Sequence, residues 1–284
     1  MSEPVSAHQA EQIRSKLDDV AERVRAASEA SKHVDRVQIL LATKTQPASK
    51  IRVALEHGFT LIGENRVQEL NEKFDDLADI PHETHLIGPL QRNKVNHTLG
   101  QASCIQSIDS MKLATKIHNR LELLDQTVEA FVQVNTSRED TKSGVAPEQL
   151  GELLTEIAPL ERIRLRGLMT IGLPGSTEAE VRPSYADLRN LRDTHLDSGL
   201  LPEHATELSM GMSNDFELAI AEGATMVRIG SCVFGARAYA RAHGLVLGQA
   251  FSVLVDQPDN RGAVEVAVSV VNELLESAVD QFSC

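Results

Sequence analysis

The chain has 284 residues, 42% hydrophobic and 24% charged, an ordinary globular composition that argues against disorder over most of its length. Lysine and arginine total 28 against 41 aspartates and glutamates, a formal charge of −13. A surface this acidic repels phosphate backbones, so neither nucleic acid nor an anionic membrane is expected as a partner. Any anionic ligand must be held locally, by backbone N–H groups and a few chosen side chains. Three cysteines, Cys104, Cys232 and Cys284, are too few and too scattered for a disulfide framework or a zinc site, and read as free thiols in a reducing cytosol. The opening MSEPVSAHQAEQ lacks the charged start and apolar core of a secretory signal, and no apolar run approaches the ~18–20 residues of a membrane span. A cytoplasmic location is expected.

Residues 6–31 place Ile13, Leu17, Val20, Val24 and Ala27 at steps of four and three, which predicts an amphipathic helix. VQILLA (37–42) then reads as a buried strand, and a helix over 48–57 stops at Gly58. Strand-like runs recur at FTLI (59–62), THLI (84–87), CIQSI (104–108), VEAFVQV (128–134), IRLRGLM (163–169), ATELS (205–209) and TMVRI (225–229). Helical spacing lies between them, as at 64–79 with Val67, Leu70, Phe74 and Leu77, and at 110–125 with Leu113, Ile117, Leu121 and Leu124. Alternation of this kind predicts a parallel sheet with right-handed crossovers. The expected fold is α/β: a single (β/α)8 TIM-type barrel over residues 1–240, with a leading N-terminal helix and a C-terminal extension over 241–284. An open doubly wound sheet would favour a GxGxxG turn after the first strand, and ATKTQPAS is not one.

Barrel chemistry gathers at the C-terminal ends of the strands. Polar residues that look out of place in apolar surroundings fall at those ends: Lys44 after the first strand, Glu64 and Asn65 after the second, His85 before Gly88-Pro89 in the third. Asn135, Met169 with Thr170, Ser209, and Gly230 with Ser231 follow at later exits. A partly desolvated lysine at a barrel mouth can act as a nucleophile toward an aldehyde, though a lysine can also simply mark a strand exit. In LSMGMSNDFELAIAEGATMVRIGSCVFGAR (208–237), Ser209 and Ser213 flank a tight MGM turn, and Gly230-Ser231 opens the next loop. Loops after strands seven and eight commonly bind phosphate, and well-capped helices are the alternative. Arg228 points either inward to a ligand or outward to a surface ion pair, and His85 has the company of a core histidine rather than a metal ligand. No HExxH or EF-hand pattern occurs and no metal is expected. The basic cluster QRNKVNH (91–97) lacks interleaved aromatics and reads as a solvated helix face.

These motifs resemble the YggS/PROSC-type pyridoxal phosphate homeostasis proteins, relatives of the barrel domain of alanine racemase. The resemblance runs from about residue 10 to 240 through LLATKTQP (40–47), GENRVQE (63–69), HLIGPLQRNK (85–94), VNTSREDTKSG (134–144), LRGLMTI (165–171) and the long 208–237 segment. It implies pyridoxal 5′-phosphate (PLP) held as a Schiff base on Lys44, with Asn65, His85 and Met169 lining the pocket. It also implies a phosphate cup of Ser209, Ser213, Gly230 and Ser231, and Arg228 facing the pyridine nitrogen. Where members commonly read valine-serine-lysine-threonine, this chain has Ala42-Thr43-Lys44-Thr45, a small hydroxylic replacement.

The function implied is cofactor storage, buffering or delivery by a monomer, with apo PLP enzymes as recipients and no turnover. The alternatives are a PLP-dependent amino-acid racemase or decarboxylase, or a cofactor-free barrel enzyme acting on a phosphorylated metabolite. Alanine racemases bring a second base, a tyrosine, from a β domain after the barrel. The stretch after Arg237 reads as too short for one, and Tyr185 and Tyr239 lie on a predicted helix and just past the last motif.

Overall fold

The computed structural model describes residues 4–139, 142–173 and 177–235. Helix α1 (Ala7–Ala30) opens on a reciprocal capping box between Ser6 and Gln9 and buries Ile13, Leu17, Val20 and Val24, the face its spacing predicts. That face packs on α2, α8 and α9, outside the barrel. Strands β1 (Gln38–Ala42), β2 (Leu61–Glu64), β3 (Glu83–Leu86), β4 (Cys104–Ile108), β5 (Val128–Gln133), β6 (Ile163–Met169), β7 (Glu207–Met212) and β8 (Met226–Ile229) follow one another around a closed barrel. All pairs are parallel, and β8 closes on β1 through Leu41 opposite Ile229. The outer layer is α2 (Ala48–Glu56), α3 (Val67–Leu77), α4 (Val95–Thr98), α5 (Met111–Leu124), α6 (Leu150–Ile157), α7 (Glu178–Asp197), α8 (Phe216–Ala221) and α9 (Ser231–Phe234).

Period-two alternation divides the strand residues between two cores. Leu41, Ile62, Leu86, Ile105, Val132, Leu208 and Val227 join the larger core under the helices. Leu40, Ile87, Cys104, Phe131, Met169 and Met226 form a separate cluster that fills the barrel. At the N-terminal end Arg166 pairs with Glu129 and Glu207 at 2.8 Å each and stands 5.8 Å over the Phe131 ring. This ion cluster closes the end of the barrel away from the predicted site.

The (β/α)8 barrel and its leading helix are as expected, with β4 and β6 at the predicted bounds. Three local expectations are corrected. Strand β2 lies two residues later than FTLI, because Gly63 and Glu64 are drawn into the ladder opposite Ala42 and Leu86, pairing that overrides their poor strand propensity. Met210-Gly211-Met212 is no tight turn but the end of β7, where Gly211 at φ +90° accompanies a register shift between Ser209 and Met212. Helix α3 buries Val67, Leu70 and Leu77 of its predicted face but not Phe74, which is 39% exposed, whereas the Lys73 side chain is only 12% exposed. The expected extension over 241–284 lies outside the described residues.

Candidate functional site

At the C-terminal mouth the exits of β8, β1 and β2 lie side by side. Gly230 follows β8, and a Cβ on it would stand 3.0 Å from the Ala42 carbonyl, so the glycine lets the β8 exit run against the strand that leads to Lys44. The Ser213 hydroxyl oxygen accepts from the Gly230 N–H at 3.1 Å and the Cys232 N–H at 3.4 Å. Two amides therefore converge on a single oxygen, with exposed Ser231 between them in sequence. Half-buried Lys44 leaves β1 two residues past Ala42, and half-buried Asn65 leaves β2 two residues past Gly63, the partner of Ala42. A Cβ on Gly88 would fall 2.2 Å from the Asn65 carbonyl oxygen, so glycine there is obligatory for the β3 exit to pass.

Below this rim a polar chain threads the barrel. Arg228 donates from Nη1 to Ser209 Oγ at 2.9 Å and from Nη2 to the Thr170 carbonyl at 2.7 Å. Ser209 donates to Gln106 Oε1 at 2.7 Å, and Gln106 Nε2 donates to His85 Nδ1 at 2.8 Å. A guanidinium only donates, so every hydrogen in the chain is directed away from Arg228 and His85 must accept at Nδ1. His85 is thereby neutral, carrying its proton on Nε2, which has no hydrogen-bond partner. Burial pushes the His85 imidazole below its ordinary value, with Glu83 at 3.8 Å opposing only in part. Burial likewise lowers the Arg228 guanidinium, leaving it still a cation. Met169 belongs to the apolar cluster that fills the barrel.

A second cluster braces the β1 exit. Lys73 Nζ donates to the Thr43 carbonyl at 3.0 Å, to Glu64 Oε1 at 2.8 Å and to Glu69 Oε2 at 3.1 Å. Burial raises the Glu64 carboxyl, an effect Lys73 and Thr43 offset only partly. For Glu69 burial works in the same direction but is outweighed by the Thr45 N–H and Lys73, which hold it below the usual carboxylate range.

Of the sequence-predicted residues, Ser213 and Gly230 touch directly and Ser209 touches Arg228, while His85 joins that pair only through Gln106. The expectation that His85 and Ser209 share the rim is corrected: both are wholly buried inside the barrel because their positions on β3 and β7 face inward. Arg228 points inward. Sequence reasoning missed Gln106, Glu69 and Lys73. The available signal for Gln106 was an amide in the middle of CIQSI, whose five residues are all buried.

Residues 15–238 match the family model of the alanine racemase N-terminal domain. The chain is 41% identical over 226 residues to the pyridoxal phosphate homeostasis protein of Aquifex aeolicus, covering 79% of this chain and 98% of that one. It is similar to the solved structure of PipY from Synechococcus elongatus with PLP bound, at 33% identity and a TM-score of 0.70, covering 78% and 100% of the two chains. An alanine racemase from Clostridium difficile, 15% identical, shares the fold at a TM-score of 0.65 over 80% of this chain and 60% of its own.

Proposed function

The chain belongs to the pyridoxal phosphate homeostasis proteins of the alanine racemase N-terminal domain family, and from that premise we propose that it is a PLP-binding protein that stores, buffers or delivers the cofactor. The observation that carries this reading is the convergence of the Gly230 and Cys232 amides on Ser213 Oγ, on the strand exit beside the one that bears Lys44. Accepting from both amides, the Ser213 hydroxyl directs its own hydrogen elsewhere, as a donor suited to a phosphate oxygen, and an acidic chain can hold a dianion only with such local donors. A lysine, a cluster of amides and a buried guanidinium fit the donor needs of an aldehyde phosphate.

When bound, the cofactor supplies an aldehyde that a lysine amine can capture. In this reading Lys44 makes that covalent link, Ser213, Gly230 and Ser231 hold the phosphate, and Asn65, Met169 and His85 line the pocket. Ser209 contributes by fixing Arg228. Arg228, a cation with no proton to accept, disfavours a proton on a ring nitrogen set against it, which weakens the ring as an electron sink. A reservoir needs capture and release, not an acid and a base on both faces of a substrate carbon. The protein acts as a monomer in the cytoplasm, with apo PLP enzymes as recipients. Among the described residues no helix is long and apolar enough to cross a membrane.

Borohydride reduction of PLP-loaded protein, followed by peptide mapping, tests the site: a stoichiometric pyridoxyl group on the Lys44 peptide is expected, and an adduct elsewhere, or none, removes the reading. Deuterium exchange at the α-carbon of L-alanine separates a reservoir from a racemase. Exchange approaching a typical enzyme turnover of roughly 10 s⁻¹, abolished by Lys44→Ala, would favour the enzyme.

A further inference from the structure

Lys44 lies between two residues whose backbones are tied from outside their own loop. On one side the Thr43 carbonyl accepts from Lys73 Nζ at 3.0 Å, and the Thr43 hydroxyl donates to Glu64 Oε1 at 2.6 Å. On the other the Thr45 N–H donates to Glu69 Oε2 at 2.5 Å. Glu69 and Lys73 are one turn apart on α3, and the ammonium spends its three protons on Thr43, Glu64 and Glu69. Thr45 itself sits at φ +63°, in the left-handed region. A β-branched residue there is a genuine outlier, and it persists only where its surroundings hold it.

The same residues stand out in the burial of α3, whose apolar face is Val67, Leu70 and Leu77. Beside that face the Lys73 side chain is only 12% exposed, while Phe74 stays at 39% exposure. An ion pair held largely out of water, at 12% and 17% side-chain exposure, is a poor source of net stability compared with apolar packing, so its presence at this point fits a geometric role. We propose that Glu69 and Lys73 are positioning residues, a half-buried pair that holds Thr43 and the strained Thr45 so that the Lys44 side chain is presented to the cofactor. The pair acts on the backbone at either side of Lys44 and makes no contact with the cofactor. The inference rests on the reading of Lys44 as the PLP-holding residue.

The experiment compares wild type, Glu69→Gln, Thr45→Gly and the double variant as full-length protein. Two quantities are read: the rate at which PLP becomes fixed to the Lys44 peptide under borohydride trapping, and the melting temperature of the PLP-free protein. Glu69→Gln should slow fixation about tenfold, the loss of one charge-assisted hydrogen bond. Glycine adopts φ +63° without steric cost, so Thr45→Gly should fix PLP at close to the wild-type rate and should restore most of the lost rate in the double variant. Glu69→Asp keeps the charge but not the reach, and replaces Glu69→Gln should that variant not fold. Glu69→Gln fixing PLP at the wild-type rate, whatever its melting temperature, or a double variant no faster than Glu69→Gln, overturns the proposal. Failure of the wild type itself to fix PLP at Lys44 overturns instead the reading on which the proposal rests.

Discussion

Arg228 Nη1 meets Ser209 Oγ at 2.9 Å between adjacent strands, and the serine passes its own hydrogen to Gln106. The hydroxyl is thus both acceptor and donor at a wholly buried site, and no water can replace it without new space. Ser209→Ala strands the Gln106 carbonyl oxygen and one Arg228 N–H. Leaving a buried polar group unpaired costs roughly 1–3 kcal/mol, more where the group is charged. Urea unfolding of the PLP-free protein should show that loss. A stability unchanged within ~0.5 kcal/mol would mean that the serine is not a link in the chain.

Ser213 separates from Ser209 in the opposite way. Ser213→Ala removes the oxygen on which the Gly230 and Cys232 amides converge, at a half-buried rim position, so its effect on unfolding should be small. PLP retention should weaken about tenfold, the value of one hydrogen bond to a charged oxygen. Pyridoxal, which lacks the phosphate, should bind wild type and variant alike. Equal weakening for both ligands would place Ser213 away from the phosphate.

His85 gives a pH signature. Its folded-state value lies below the ordinary 6.5 because burial disfavours the imidazolium. Between the folded value and 6.5 the unfolded chain binds a proton that the folded chain refuses, so this contribution is fully present above 6.5 and is lost as pH falls below it. Chemical denaturation of wild type and His85→Gln at a series of pH values from about 8 to 5 should show a shallower decline in the variant across that window. Parallel curves would mean that His85 titrates normally.

Gly88→Ala tests the close approach of the β2 and β3 exits. The new methyl would lie 2.2 Å from the Asn65 carbonyl oxygen, a backbone atom that cannot rotate away. Relief requires moving the β2 exit and Asn65 with it. A destabilisation of ~3 kcal/mol or more belongs to this mechanism, and calorimetry of the PLP-free protein would register it. Normal melting with normal PLP fixation would show that the exits have room to separate.

Much of the fold was legible in the sequence, because short β-branched runs alternating with 3.6-period helices specify a parallel barrel and its strand exits. Lys44, Asn65, Ser213, Gly230 and Ser231 follow from that, since a residue just past a strand end must lie at the mouth whatever the detailed register. The interior did not follow. In a parallel barrel both faces of each strand are apolar, so alternation says that Ser209 and Leu208 face opposite ways without saying which faces in. Closure and register decided it, and the shift between Ser209 and Met212 lay beyond any periodicity. The chain from Arg228 to His85 draws on four strands, β8, β7, β4 and β3, whose relation exists only once the barrel closes. Helix α3 shows the same division: Val67, Leu70 and Leu77 announced the helix and its apolar face, but the bonds of Lys73 to acceptors on Thr43 and Glu64 are not contained in a one-dimensional pattern of apolar residues.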